Sequence, residues 1–213
     1  QQAINMTRRR TGMSAMAAAF GDDVAVVDVG IAADVPGVGI LDRKVRRGTG
    51  NIAVEDAMTR PEALAAMAAG MEQAARARAD SITALGIGEM GIGNTSTSAA
   101  VLSALTGADI EVVTGRGGGL TDEGFARKKD VLRRALTRRA VDKDDVLDVL
   151  CAVGGLDIAA MAGAFLGCAR ERIPAAVDGF ISVVAALCAV TLCPEVQDYL
   201  FLSHDSYEVG YRL

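Results

Sequence analysis

Apolar positions along the chain gather in short runs bounded by glycine or charge, and these runs alternate with longer stretches of helix-forming residues. Residues 23–30 (DVAVVDVG), 81–88 (SITALGIG), 173–177 (IPAAV) and 198–203 (DYLFLS) read as buried strands, and 110–114 (IEVVT) as a short strand-like piece. Helical spacing is predicted over 11–20 as a lead-in, then from Thr59, with its early Pro61, to about Arg78, and over 95–106. Further helices are predicted from Thr121 to about Arg139, over 144–151, over 156–170 after the Gly154–Gly155 break, and over 181–189. Residues 31–60 form a long glycine-containing connection, a length that usually goes with a binding role. Strands alternating with helices predict an α/β fold with a parallel sheet covered by helices on both faces. In such folds ligands meet the carboxyl ends of the strands, where Asp28, Glu89, Asp178 and Ser203–His204 fall.

The richest of these ends is Glu89–Thr97 (EMGIGNTST), a carboxylate, two glycines and a cluster of amide and hydroxyl side chains at a helix start. Backbone N–H groups at a helix N-terminus favour an anion such as phosphate. Glu89 reads either as a helix-capping acid or as a carboxylate at a binding edge. The cluster Gly115–Gly119 reads as a turn or, with Lys128 on the following helix, as a phosphate cradle; it has no adjoining Lys-Ser or Lys-Thr and is not a P-loop. Asp178–Gly179 reads as a turn or a site edge. His204, the single histidine, has no acid or thiol at a motif spacing and reads as structural or supporting rather than as a proton carrier. Ser206 and Glu208 read equally as loop residues.

Composition narrows the partners. Half of the 213 residues are apolar (51%) but only 4% are aromatic, and the net charge is −5, a combination that disfavours stacking on nucleic-acid bases. Basic runs at Arg127–Lys129 and Arg133–Arg134 are interleaved with acids and read as a solvated helix face. Cys151, Cys168, Cys188 and Cys193 match no zinc spacing and predict buried thiols in a reducing, cytoplasmic setting. The longest apolar stretch, 180–193, is too short to span a bilayer.

Gly88–Thr95 (GEMGIGNT) resembles the signature of the nicotinate-nucleotide–dimethylbenzimidazole phosphoribosyltransferase family. The resemblance extends through Val26–Gly30, Asp42–Asn51, Gly115–Lys128, Gly154–Gly163, Ile173–Phe180 and His204–Gly210, in the family's order. It implies a Rossmann-like sheet in residues 21–213 lacking its C-terminal segment, with residues 1–20 as part of a small helical domain that is largely missing. It implies transfer of phosphoribose from nicotinate mononucleotide to 5,6-dimethylbenzimidazole or a related azole, in cobalamin biosynthesis. The alternative is a catalytically incomplete homologue that binds a nucleotide or azole without turnover.

By the same resemblance, Gly91, Gly117, with Gly118 beside it, Lys128 and Ser206 hold the phosphate. Glu89 lines the junction of base and ribose in a supporting role, Asp178 lies near the nucleotide, and Gln1 matches a glutamine of the benzimidazole pocket. The general-base glutamate is expected beyond Leu213. No metal or cofactor is expected, and a homodimer is. Gly118 stands where the family commonly has Thr, and Tyr211 where it commonly has His.

Overall fold

The computed structural model describes residues 1–35, 39–138 and 140–212. Pro36–Val38 of the long connection, the expected helix end at Arg139, and Leu213 lie outside the described residues. The chain forms two compact units, Gln1–Gly48 and Thr49–Leu213.

The first unit carries α1 (Gln2–Thr7), α2 (Gly12–Phe20) and two short strands, β1 (Val26–Asp28) and β2 (Ile40–Asp42), paired in parallel with Val26 opposite Ile40. Thr11 and Ser14 close a reciprocal cap at the start of α2, and Gly21 ends it in the left-handed conformation at φ +81°. Asp28, at the end of β1, is 5% exposed. One of its oxygens accepts the N–H groups of Gly30 and Ile31, and the other meets Lys44 Nζ at 3.1 Å. Lys44 also donates to the carbonyls of Ile31 (2.8 Å) and Ala33 (2.7 Å), so its three protons are used within the unit. These bonds fasten the loop after β1 to the strand that follows it.

The second unit begins with a turn and α3 (Arg60–Ala79), whose start is fixed by the Thr59–Glu62 capping box with Pro61 in its first turn. It continues with β3 (Leu85–Ile87), α4 (Asn94–Thr106), α5 (Ile110–Val113), α6 (Asp122–Thr137), α7 (Val146–Val153) and α8 (Leu156–Glu171). Then come β4 (Ala175–Val177), α9 (Gly179–Leu192), a 3-10 turn (Pro194–Tyr199), β5 (Leu200–Leu202) and a last 3-10 turn (Val209–Arg212). The sheet order is β3-β4-β5, all parallel, with Leu85, Ala175 and Leu200 in register.

Two expectations change. Within the piece expected at 110–114, Ile110–Val113 is helical: Asp109 caps the Glu111 N–H and the hydroxyl of Thr114, the residue that ends the turn, donates to the Ile110 carbonyl; Ile110 and Val113 are then buried together at a spacing of three. The connection 31–60 contains β2, too short to register as alternation.

The core is built mostly from small residues. Buried positions on α3 (Ala63, Ala66, Met67, Gly70, Ala74, Ala77) follow a helical period and face Ala160, Gly163 and Gly167 on α8. A methyl group on Gly70 would strike the Ala160 carbonyl; one on Gly163 would lie 2.6 Å from Met67 Cα, and one on Gly167 2.7 Å from Ala74 Cβ. The two helices therefore touch backbone to backbone. Phe165 and Ile158 of α8, Leu150 of α7 and Val101 of α4 are fully buried. Cys168 and Cys188 belong to the same interior, and burial pushes their thiols up to about 11 and about 12. Among the described residues no helix is long and apolar enough to cross a membrane.

Gly163→Ala sets two opposing effects against each other. Alanine gains about 1 kcal/mol of helix propensity, but overpacking a backbone contact costs about 1–3 kcal/mol, and here the obstacle is a main chain that cannot rotate away. With the cost at the upper end of that range, about 2–3 kcal/mol, the net expectation is a loss of roughly 1–2 kcal/mol and of roughly 2–8 °C in Tm. Gly86→Ala, where nothing lies within 4 Å, is expected to leave Tm unchanged or slightly higher. Thermal unfolding followed by circular dichroism checks both, and equal melting of the parent and the Gly163 variant would contradict the packing described.

Candidate functional site

Because β3, β4 and β5 run the same way, the residues that leave their carboxyl ends share one edge. Gly88–Glu89 follows β3, Asp178 follows β4 and Ser203–His204 follows β5. A methyl on Gly88 would sit 3.2 Å from Asp178 Oδ2, and His204 Nδ1 lies 3.6 Å from Asp178 Oδ1 and 2.9 Å from the Ser203 hydroxyl. The edge is pinned from below. The Ser182 hydroxyl on α9 donates to the Ile87 carbonyl (2.7 Å), and the Ser203 amide and hydroxyl donate to the Val177 carbonyl (3.1 and 2.8 Å).

Glu89 is half-buried. Its carboxylate accepts from the Asn94 side-chain amide, which also donates to Asp157 Oδ2 at 2.7 Å. Burial raises the Glu89 carboxyl above its ordinary value; the Asn94 bond opposes this, the charge of Asp157 adds to it, and the Gly91 N–H and Asp178 act more weakly in opposite senses. Gly91 is required by close approach, since a methyl there would lie 2.8 Å from Asn94 Cγ and 3.0 Å from Asp157 Oδ2.

One residue further along α4, Thr95 belongs to a second cluster. Lys128, on α6 and 8% exposed, donates to the Thr95 hydroxyl at 3.0 Å and to the Gly115 carbonyl at 2.8 Å. Burial lowers its ammonium, and the carboxylate of Glu208 works against that. Gly117 has φ +56°, and a methyl on it would lie 2.8 Å from Thr95 Oγ1, so backbone angle and space both demand glycine. The loop is held by Arg116, which donates to the Leu120 carbonyl (2.9 Å) and Asp122 (2.5 Å) and lies 4.8 Å from the Phe125 ring centre. Glu208 packs against Gly115, where any side chain would displace it. Gly115, Gly117, His204, Ser206 and Glu208 line an open groove of about 360 Å³.

The structure thus brings together Glu89, Gly91 and Asp178 around the strand ends, and Gly117 and Ser206 in the lining of the groove, with Lys128 tied to the Gly115 carbonyl beside it. Gly118 is exposed, with open space around its α-carbon. Gln1 lies in the first unit, where its side-chain amide donates to Asn5 at 3.0 Å. Asn94, Thr95 and Asp157 were not named as candidates from the sequence, and Glu208, which read there as a loop residue, lines the groove. The usable signal was a repeated one: glycine immediately before a helix start followed by a polar side chain in the first turn, in Gly93-Asn94-Thr95 and again in Gly155-Leu156-Asp157.

A family model described as phosphoribosyltransferase matches residues 1–213. The nicotinate-nucleotide–dimethylbenzimidazole phosphoribosyltransferase of Geobacter metallireducens is 46% identical over 213 residues, covering 100% of this chain and 60% of the relative. The protein of the same name from Clostridium perfringens is 45% identical over 212 residues, covering 100% of this chain and 59% of the relative. The crystal structure of CobT from Thermus thermophilus superposes with a TM-score of 0.94 at 41% identity, covering 100% of this chain and 64% of that one. The chain accordingly spans about 60% of the length of the curated relatives it matches. With the family model matched from first residue to last and the fold shared with a solved member, the chain belongs to the nicotinate-nucleotide–dimethylbenzimidazole phosphoribosyltransferase family.

Proposed function

We propose that the protein transfers the phosphoribosyl group of nicotinate mononucleotide to 5,6-dimethylbenzimidazole or a related azole, releasing nicotinate and forming α-ribazole 5′-phosphate for cobalamin biosynthesis. The observation that carries this reading is the use of consecutive α4 residues: Asn94 holds carboxylates and Thr95 holds the Lys128 ammonium. A phosphorylated ribose needs such neighbours, an anion cradle for the phosphate and a negative group for the carbon that turns cationic.

In this reading the phosphate lies in the groove, on the N–H groups around Gly117 and Gly118, the Ser206 hydroxyl and the third proton of Lys128, with Gly91 closing the near side. The azole nitrogen attacks C1′ from the face opposite nicotinate, the bond from C1′ to the pyridinium nitrogen breaks, and its electron pair neutralises the departing ring. Glu89, ionised, stabilises the oxocarbenium-like ribose between the two bonds. Asp178 approaches the nucleotide beside it. The resemblance assigns the acceptor of the azole proton to a glutamate beyond Leu213. We also read residues 1–20 as part of a small domain and 21–213 as the phosphoribosyl-transfer domain, in a cytoplasmic homodimer that binds these small molecules and no nucleic acid. The acidic balance and scarcity of aromatics support the last point.

The direct test incubates the full-length protein with nicotinate mononucleotide and dimethylbenzimidazole and follows the mixture by chromatography. Equimolar nicotinate and α-ribazole phosphate are expected; calorimetric binding with no nicotinate released would instead identify a catalytically incomplete homologue. Lys128→Ala removes one charge-assisted bond and is expected to weaken mononucleotide binding by about 1.5–3 kcal/mol, roughly 10- to 150-fold in Kd by calorimetry. Unchanged affinity would take Lys128 out of the phosphate site. Glu89→Gln is expected to lower kcat on the order of 100-fold while KM for the mononucleotide moves far less, since its charge matters most in the transition state. Steady-state kinetics in which KM alone changed would reverse that assignment.

A further inference from the structure

We infer that Asn94 and Asp157 are positioning residues for the Glu89 carboxylate, forming an acid–amide–acid bridge that fixes the carboxylate at the ribose. The inference rests on the phosphoribosyl-transfer reading above.

Asn94 is 9% exposed, and its amide spends both protons on carboxylates, one on Glu89 and one on Asp157. The amide can face two acids only with its nitrogen, so its orientation follows from chemistry. Asp157 is itself fixed, since its other oxygen accepts the Ile158 N–H at 3.0 Å in the first turn of α8. Gly91 and Gly155 press on the bridge so closely that a side-chain carbon at either would collide with Asp157 or Asn94. The β3 end, α4 and α8 thus converge on one amide.

A tie that only joined α4 to α8 would need one acid and one amide. Here a second acid is added, half-exposed at the strand edge, although two like charges on one neutral donor repel. The groups facing Glu89 are Asn94 from α4, Asp157 from α8, the Gly91 N–H from its own loop and Asp178 from the end of β4, with His204 beyond Asp178. The ionisation of Glu89 is set by the amide, which favours the charged form, against burial and the two aspartates, which disfavour it.

That opposition supplies the test, in two readouts on the full-length protein: carbon-13 NMR titration of the Glu89 carboxyl, and the pH profile of kcat/KM for the mononucleotide. Asp157→Asn is isosteric and removes a charge that raises Glu89, its single amide oxygen retaining one of the two bonds that the Asp157 carboxylate accepts, so the Glu89 titration and the acid limb of the profile both move to lower pH. Asn94→Ala removes a donor that lowers Glu89, so both move to higher pH, and kcat falls on the order of 10- to 100-fold with a smaller change in KM. If Asn94→Ala fails to fold, Asp157→Asn decides alone. Shifts in the same direction, or no shift with either variant, overturn the positioning role. A wild-type protein that releases no nicotinate overturns the phosphoribosyl reading and the ribose assignment, while the NMR titration still decides whether the bridge governs Glu89.

Discussion

Parallel pairing of β3, β4 and β5 is the constraint from which the site follows. Each strand is three residues long, so the sheet contributes little surface, but its register fixes the direction in which three loops depart. Antiparallel pairing would send the Asp178 loop to the opposite end from Glu89. With parallel pairing, Glu89, Asp178 and His204 emerge together, and Ser182 on α9 and Ser203 just after β5 donate their hydroxyls to the strand-end carbonyls of Ile87 and Val177.

Upon that edge the electrostatics are arranged by burial rather than by number of charges. Surface pairs such as Arg47–Asp34 and Arg127–Glu123 are exposed and contribute little to stability. Lys128 and Glu89 differ because water is partly withdrawn from both, which weakens the preference of each for its charged form and strengthens what either offers an incoming ligand. The Lys128 ammonium is already attached to the Thr95 hydroxyl and the Gly115 carbonyl, so little of its side-chain freedom remains to be lost if it takes a further partner.

The parts of the fold legible in the sequence were those with local causes. Thr59, Pro61 and Glu62 announce α3, Thr121 announces α6, and the apolar runs ending at Ile87 and Val177 lie within readable strands. The strand over 110–114 was misread because β-branched residues suggest a strand while the decisive element is the Asp109 side chain, a cap whose effect outweighs a weak propensity. β2 was hidden because three residues cannot display a period and their partner β1 lies across a loop. Near the strand ends, the motifs mark the segments that hold the close-packed Gly91 and Gly117 and the buried Lys128, but not the open surroundings of Gly118. The tie of Asn94 to Asp157 could not be read from the sequence, since these residues are separated by 63 positions and meet only after α4 and α8 have packed.

The glycine contact between α3 and α8 gives the site a discrete geometry. Backbones in contact through Gly70, Gly163 and Gly167 have one seated position, and the next comparable seat along α8 lies a full turn, about 5.4 Å, away. Asp157 rides on the first turn of that helix. It is therefore either within reach of Asn94 or a whole turn out of reach, and gradual loosening of the core does not translate into gradual drift of the acid. The alanine-rich interior behaves as a mechanical detent, which indexes a side chain at the ligand edge from a contact between two main chains.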